Sequence, residues 1–184
     1  MTRKWIYPVL LTGLFALLIH LSLPAGCVYG STTDWLSQHT ALAETIRTAM
    51  REQHTLLPAY LPLGGGSNGF QFSYYGYLRP DILIGCLLPA VPMYKIVIAY
   101  ALGGCLLSVL LFYLLLRRHR LSGFDSFMGS VLFLTASCFF HTHRQLMFVN
   151  YMPFLLLALL SVKKSPRRMP ALLPLWMLLI CLHS

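Results

Sequence analysis

Asp34 is the first acidic side chain of the sequence and follows the first long apolar run. A carboxylate held just outside a lipid bilayer can accept a proton from the hydroxyl of an acceptor, or help to hold a divalent cation. An aspartate at a helix start can instead be an N-cap, because its carboxylate accepts hydrogen bonds from unpaired amides at the positive end of the helix dipole. The sequence leaves both roles open for Asp34.

Arg79, His143 and Arg144 are candidates for a second kind of chemistry, the binding of a phosphate group. Arginine and protonated histidine donate charged hydrogen bonds to phosphate oxygens, and His141, His143 and Arg144 crowd one short turn between two apolar runs. A plain polar turn is the alternative. Two histidines at i and i+2 have no third ligand at a recognisable spacing, so the sequence predicts no metal site there.

A run of aromatic residues lies downstream of Asp34, and its members are Phe70, Phe72, Tyr74, Tyr75 and Tyr77. Aromatic rings can stack on the faces of sugars. Tyrosines also collect where membrane meets water, because one end of the side chain is apolar and the other is polar. Spacing alone does not choose between a sugar platform and a membrane rim.

The composition indicates the solvent in which these side chains lie. The 184 residues are 57% hydrophobic and 10% charged, with a mean hydropathy of +0.68. Soluble globular domains carry about 25% charged residues, which cover the apolar core with polar surface. Most water-soluble folds are therefore excluded, and a lipid bilayer is the expected partner of the chain.

Long apolar runs set the expected fold. Residues 5–24, 96–116, 121–140 and 146–162 are each long enough, or just long enough, to cross a bilayer at about 20 residues per span. A fifth run, 169–183, is shorter and ends without a polar flank, which favours an N-terminal fragment of a longer polytopic protein. We expect an all-α integral membrane protein, a polytopic helical bundle of 4–5 transmembrane helices. Its domains are then a first transmembrane helix (1–24), one large outer loop (25–95) and the remaining helices (96–184).

The first apolar run has a rival interpretation as a cleaved signal that leaves a lipoprotein anchored at Cys27. Pro24 stands where such a cleavage box needs leucine, and the apolar core exceeds the usual length of about 7 to 15 residues. The sequence therefore favours an uncleaved transmembrane helix.

The large loop contains the only stretch of mixed polarity. Apolar residues recurring at three- and four-residue steps predict an amphipathic helix at about 34–52, whose apolar face rests on the membrane or on other helices. A Gly-rich connector follows at 64–69, and it lacks the lysine and hydroxyl residue of a phosphate-binding loop. Residues 82–94 are apolar, too short for a span and interrupted by two prolines, which predicts a short re-entrant or interfacial helix.

The basic residues define an orientation and argue against a nucleic-acid partner. The net charge of +9 comes largely from residues at the edges of apolar runs, the position of cytoplasmic anchors of membrane helices. With the N-terminus in the cytoplasm, nine of the fourteen Lys and Arg residues lie inside and five outside. This asymmetry predicts a multi-pass cell-membrane protein whose inner basic residues are Arg3, Lys4, Arg117, Arg118, Arg120, Lys163, Lys164, Arg167 and Arg168.

A set of short motifs, in this order and spacing, resembles the N-terminal part of the bacterial YfhO-type membrane proteins over roughly residues 3–162. These proteins are similar to the GT-C superfamily, multi-span glycosyltransferases that take a sugar from a polyprenyl-phosphate carrier on the outer face. The motifs are Asp34-Trp35-Leu36-Ser37-Gln38, Leu63-Gly64-Gly65-Gly66-Ser67-Asn68, Tyr74-Tyr75, Arg79-Pro80, Leu87-Leu88-Pro89 and Tyr94-Lys95.

The resemblance implies an enzyme that transfers a sugar from a polyprenyl-phosphate donor to a cell-envelope glycopolymer or lipid acceptor. It implies a catalytic or cation-associated carboxylate at Asp34, with Gln38 in the same motif and Tyr74 and Tyr75 as the paired tyrosines. A divalent cation is the only cofactor that it suggests. The chain departs from the family in having fewer spans, and in ending the segment 147–150 with Asn150 where many members have an aspartate.

Two functional hypotheses follow. In the first, Asp34 activates the acceptor hydroxyl or orients a divalent cation, while Arg79, with Arg144 or His143, holds the carrier phosphate. In the second, the chain is a non-enzymatic transport or scaffold subunit whose outer loop docks a partner.

Overall fold

The computed structural model describes residues 5–30, 34–63, 66–69, 76–136, 150–162 and 169–183. These residues are mostly helical, and a π-helical turn, Trp35–His39, leads directly into the second helix. Two short antiparallel strands, β1 (Tyr60–Leu61) and β2 (Ser67–Asn68), pair within the loop. The helices are α1 (Ile6–Ser22), α2 (Thr40–Glu52), α3 (Pro80–Leu87), α4 (Met93–Arg118), α5 (Gly123–Leu134), α6 (Met152–Val162) and α7 (Met169–Cys181).

Within the described residues, α4 is the one helix long and apolar enough to cross a membrane. Its 26 residues correspond to a length of about 39 Å, and they contain the whole predicted span 96–116. The other apolar helices, α1, α5, α6 and α7, have between 11 and 17 residues. The expected bundle of 4–5 spans therefore appears as one span-length helix with four shorter apolar helices.

The third predicted span, 121–140, is shorter than expected in the described residues. Ser122 caps the start of α5 by accepting the amide hydrogen of Asp125. The helix ends at Leu134, where the hydroxyl of Thr135 donates to the Val131 carbonyl. Residues 137–149, which include the start of the fourth predicted span, lie outside the described residues.

Helix α1 runs antiparallel to α4 and parallel to α5. The ring of Tyr7, near the start of α1, lies 6.5 Å from the ring of Tyr113, near the end of α4. The same ring lies 5.4 Å from Phe127, near the start of α5. The start of α1, the end of α4 and the start of α5 are therefore together at one end of the bundle.

Helices α6 and α7 continue this alternation. Arg118, at the end of α4, donates to the Leu160 carbonyl near the end of α6, so α4 and α6 point the same way. The indole of Trp176 in α7 donates to the Ser161 hydroxyl at 2.9 Å, and the ring of His183, just beyond α7, stacks on Phe154 near the start of α6. Helices α6 and α7 are therefore antiparallel.

Helix α4 joins two apolar cores. Its second half packs with α1 and α5 around Leu11, Cys105, Val109, Tyr113 and Leu134. Its first half packs with α2, α3 and the loop strands, around buried residues that include Trp35, Ala43, Ile46, Met50, Leu61, Ile82, Met93 and Val97. The segment that contains α2, α3 and the two strands and the segment that contains α1 and α5 are thus one folded unit that shares α4.

The predicted amphipathic helix at 34–52 is present as the π-helical turn followed by α2. Its apolar face rests on α3 and α4, one of the two surfaces expected for it. The buried face also contains Arg47, which the apolar pattern does not predict. Arg47 donates to the Val91 carbonyl at 2.7 Å and pairs with Glu44, and Glu44 in turn accepts the amide hydrogen of Met93 at 3.1 Å. This clamp fixes α2 to the turn between α3 and α4.

The short helix predicted at 82–94 is instead two separate elements. Helix α3 begins at Pro80, because proline fits the first turn of a helix, and it ends at Leu87. Leu88 has φ −118° and ψ 64°, which is non-helical and consistent with the proline that follows it. A second proline, Pro92, then precedes the start of α4. The two prolines therefore divide the predicted segment between the short helix α3 and the start of α4.

Candidate functional site

Polar side chains gather at one end of the molecule, around the first turns of α4. The basic C-terminus of α4 lies at the opposite end. We call the set of polar side chains around the first turns of α4 the polar end. Its described members are Asp34, Gln38, His39, Arg79, Asp81, Tyr100 and His183.

Asp34 starts the π-helical turn but does not cap it with its side chain. Its backbone carbonyl accepts the amide hydrogens of Gln38 and His39, each at 2.9 Å. Its carboxylate makes no capping hydrogen bond. It instead accepts a hydrogen bond from the side-chain Nε2 atom of Gln38 at 3.4 Å. The capping role considered for Asp34 is therefore not what holds its carboxylate in place.

Arg79 and Asp81 form a buried ion pair with two hydrogen bonds. The Nε and Nη2 atoms of Arg79 donate to the two carboxylate oxygens of Asp81 at 2.8 and 2.5 Å. The exposed fractions of the two side chains are 3% and 0%. Asp81 also accepts the amide hydrogen of Ile82 at 3.0 Å, in the first turn of α3. This placement argues against the expected contact between Arg79 and a carrier phosphate, because the paired guanidinium is almost fully buried.

His39 lies against this ion pair and is only 3% exposed. Burial lowers the pKa of its imidazole below the ordinary value, and the positive charge of Arg79 lowers it further, while the carboxylates of Asp34 and Asp81 oppose the shift. These four groups are therefore close enough to act on one another. The sequence analysis did not assign His39 to the site.

We expect acid to destabilise the protein through His39. Because the folded-state pKa is below the ordinary 6.5, the unfolded chain binds a proton more readily, so the stability contribution is present above pH 6.5 and is lost as the pH falls. Thermal unfolding of the wild type and of His39→Gln at several pH values measures this. The variant should lose part of the acid sensitivity, whereas His54→Gln, at an exposed position, should retain all of it. Equal acid sensitivity in all three proteins would contradict the assignment.

Tyr100 and His183 extend the polar end into the bundle. The Nδ1 atom of His183 lies 2.6 Å from the Leu179 carbonyl, and its Nε2 atom lies 2.8 Å from the Tyr100 hydroxyl. Both side chains interact electrostatically with Arg79 and Asp81. Sequence reasoning missed this pair, although a tyrosine inside an apolar run needs a partner for its hydroxyl.

The remaining predicted site residues, Tyr74, Tyr75, His143 and Arg144, lie outside the described residues. In the part of the chain that is described, no three His, Cys, Asp or Glu side chains come together to hold a metal ion. The oxygens of Asp81 already accept hydrogen bonds from Arg79 and Ile82. The described donors around Asp34 therefore do not fit a divalent cation.

Comparison of the chain with protein-family models, with curated proteins and with solved structures gives no match. The resemblance to the YfhO-type proteins accordingly depends on the short motifs alone.

Proposed function

We propose that this chain is a multi-pass protein of the cell membrane, with a cytoplasmic N-terminus and the polar end on the outer face. The length of α4 and the alternating directions of α1, α4, α5, α6 and α7 support this. Each of these helices also exposes large apolar side chains that water would solvate poorly and lipid would cover. Examples with exposed fractions between 47% and 70% are Leu17, Leu114, Leu132, Leu159 and Leu178.

Cysteine labelling in intact cells tests this orientation. In a background without the native cysteines, an impermeant maleimide should label Glu52→Cys in the outer loop and miss Leu121→Cys between α4 and α5. Both positions are exposed in the structure, so access depends on the side of the membrane. Leu121→Cys should become labelled once the cells are permeabilised. The reverse pattern would place the polar end in the cytosol, where a donor on the outer face could not reach it.

At the polar end we propose glycosyl transfer from a polyprenyl-phosphate donor to a hydroxyl of a cell-envelope glycopolymer or lipid. The observation that carries this proposal is the state of the Asp34 carboxylate. It caps no helix and belongs to neither described ion pair, which are Arg47 with Glu44 and Arg79 with Asp81. A half-buried carboxylate that caps no helix and belongs to no described ion pair is suited to take a proton.

In the proposed reaction, the acceptor hydroxyl gives its proton to Asp34 as its oxygen attacks the anomeric carbon of the sugar. The bond from that carbon to the carrier phosphate breaks, and the phosphate leaves with the electron pair. Gln38, which donates to the Asp34 carboxylate, orients it. Tyr74, Tyr75, His143 and Arg144 retain their proposed roles in substrate binding, and Arg79 stabilises the site through Asp81 and does not contact the phosphate.

A transfer assay on the intact protein tests this function. The protein in lipid nanodiscs is supplied with radiolabelled polyprenyl-phosphate sugars and with envelope glycolipids as acceptors, and the label in the acceptor is measured. Time-dependent transfer supports the proposal. If folded protein transfers none of the common hexoses or N-acetylhexosamines, the transferase proposal fails.

The rival function is a non-enzymatic transport or scaffold subunit. One observation favours it, namely that both described ion pairs stabilise the fold.

A further inference from the structure

The turn between α4 and α5, opposite the polar end, has an excess of positive charge. We call residues 117–121 the basic turn, and its charged or titratable members are Arg117, Arg118, His119 and Arg120. The nearest acidic residue in the sequence is Asp125. Its carboxylate accepts the hydroxyl hydrogen of Ser122 at 2.6 Å and belongs to neither ion pair of the described residues. Three arginines therefore face one carboxylate that pairs with none of them.

Two of these arginines also stabilise the fold. Arg117 donates from Nη1 to the Leu121 carbonyl at 2.6 Å, which closes the turn. Arg118 donates from Nη1 to the Leu160 carbonyl of α6. A guanidinium has five N–H donors, so one such bond leaves most of them for a further acceptor. The Arg117 side chain is exposed and can reach such an acceptor from the turn.

Arg120 has no such structural task. Its side chain is exposed and has no hydrogen-bond or ion-pair partner within the described part of the chain. Its φ of 66° is in the left-handed region, just beyond the end of α4. Glycine adopts this conformation at a lower cost in free energy than a residue with a side chain. Neither the backbone nor the packing of the fold therefore accounts for an arginine at this position.

Apolar side chains flank the basic turn and are open to solvent. Leu121 is 40% exposed and Phe124 is 58% exposed. Trp5, 72% exposed, begins α1 at the same end, where the neighbouring Tyr7 packs on Phe127 of α5. Nucleic acid would match the charge of this surface but would leave the apolar side chains uncovered. A lipid surface supplies both phosphates and acyl chains.

We propose that the basic turn binds an anionic phospholipid of the inner leaflet, with Arg117 and Arg120 on the lipid phosphate and the acyl chains against Leu121 and Phe124. Arginine suits this contact because its planar guanidinium donates paired hydrogen bonds to phosphate oxygens. The assignment to the inner leaflet rests on the proposed function. Lipid binding itself is measured without any transfer reaction and without regard to the side of the membrane.

Native mass spectrometry of the full chain in detergent tests the proposal. The two probes are phosphatidylglycerol, which is anionic, and phosphatidylcholine with the same acyl chains, which has no net charge. The wild type should bind phosphatidylglycerol more tightly, and the difference should shrink as the ionic strength rises. Arg120→Gln should weaken binding of phosphatidylglycerol about fivefold and leave phosphatidylcholine unchanged.

Arg120→Gly separates lipid binding from folding. Because glycine suits the left-handed backbone, this variant should not lose thermal stability, yet it should weaken phosphatidylglycerol binding as much as Arg120→Gln does. The matched control is Arg51, an exposed arginine near the end of α2. Arg51→Gln removes the same charge outside the basic turn and should leave the affinity for both lipids unchanged.

Three results would overturn the inference. They are equal affinity of the wild type for the two lipids, an unchanged affinity for phosphatidylglycerol in both Arg120 variants, and displacement of bound phosphatidylglycerol by a single-stranded oligonucleotide, which would identify nucleic acid as the partner. Sugar transfer that persists in any of these cases would leave the proposed function standing. Selective binding of phosphatidylglycerol without any transfer would support the lipid site while the transferase proposal fails.

Discussion

Replacing Asp34 with asparagine is expected to lower the rate of glycosyl transfer by about 10²- to 10⁴-fold, the usual contribution of a positioned general base. Asparagine has nearly the same shape, and its side-chain oxygen can still accept from Gln38. The amide cannot take a proton from the acceptor hydroxyl. Because the carboxylate makes no capping hydrogen bond, the fold should remain intact, and the loss should appear in kcat with little change in the thermal midpoint.

The matched control for Asp34 is Glu52, an exposed carboxylate at the end of α2. Glu52→Gln makes the same chemical change outside the polar end and should transfer sugar at the wild-type rate. In cells lacking the wild-type gene, Asp34→Asn should fail to restore envelope glycosylation, whereas Glu52→Gln should restore it. Full restoration by Asp34→Asn would show that Asp34 is not the base.

The second large effect is on stability, and it concerns Asp81. Asp81→Asn leaves the Arg79 guanidinium buried without its counter-charge, and removal of one partner from such a pair costs about 3–5 kcal/mol in the free energy of unfolding. Denaturant titration of the purified protein, followed by circular dichroism, measures the shift. Glu52→Gln serves again as the exposed control and should change the free energy by less than about 0.5 kcal/mol.

A double substitution separates burial of charge from loss of attraction. Replacing both partners, as Arg79→Leu with Asp81→Leu, removes both buried charges and should recover much of the stability that Asp81→Asn loses. If the single variant has wild-type stability, the two side chains are not buried as a pair, and Arg79 would again be available for a phosphate.

Local sequence patterns predicted α2 and α4 but not their polar contacts. The apolar run behind α4 and the three- and four-residue steps of α2 are short-range signals, because each depends only on neighbouring residues. The burial of Arg47 could not be predicted from a short-range pattern of this kind. It follows from carbonyls that the α3–α4 turn presents to α2, and no periodicity in α2 contains that information.

The candidate site shows the same division. Asp34 and Gln38 were grouped through the short motif that carries the family resemblance, and the Gln38 side chain does donate to the Asp34 carboxylate. The pairing of Arg79 with Asp81 across Pro80 was open to prediction, since an acidic residue in the first turn of α3 lies beside the arginine that precedes it. The hydrogen bond between Tyr100 and His183 could not be predicted from the sequence, because 83 residues separate the two side chains.

That separation also bears on the order in which the protein acquires its structure. Helices α4 and α5, and likewise α6 and α7, are neighbours along the chain, so each pair can associate after closing only a short loop. The hydrogen bond between Glu44 and Met93 closes a loop of 49 residues, and the hydrogen bond between Tyr100 and His183 closes a loop of 83 residues. Long closures cost more entropy and depend on helices that are already packed. The polar end is therefore expected to fold last, and a chain arrested before that step would have its hairpins in place and no assembled site.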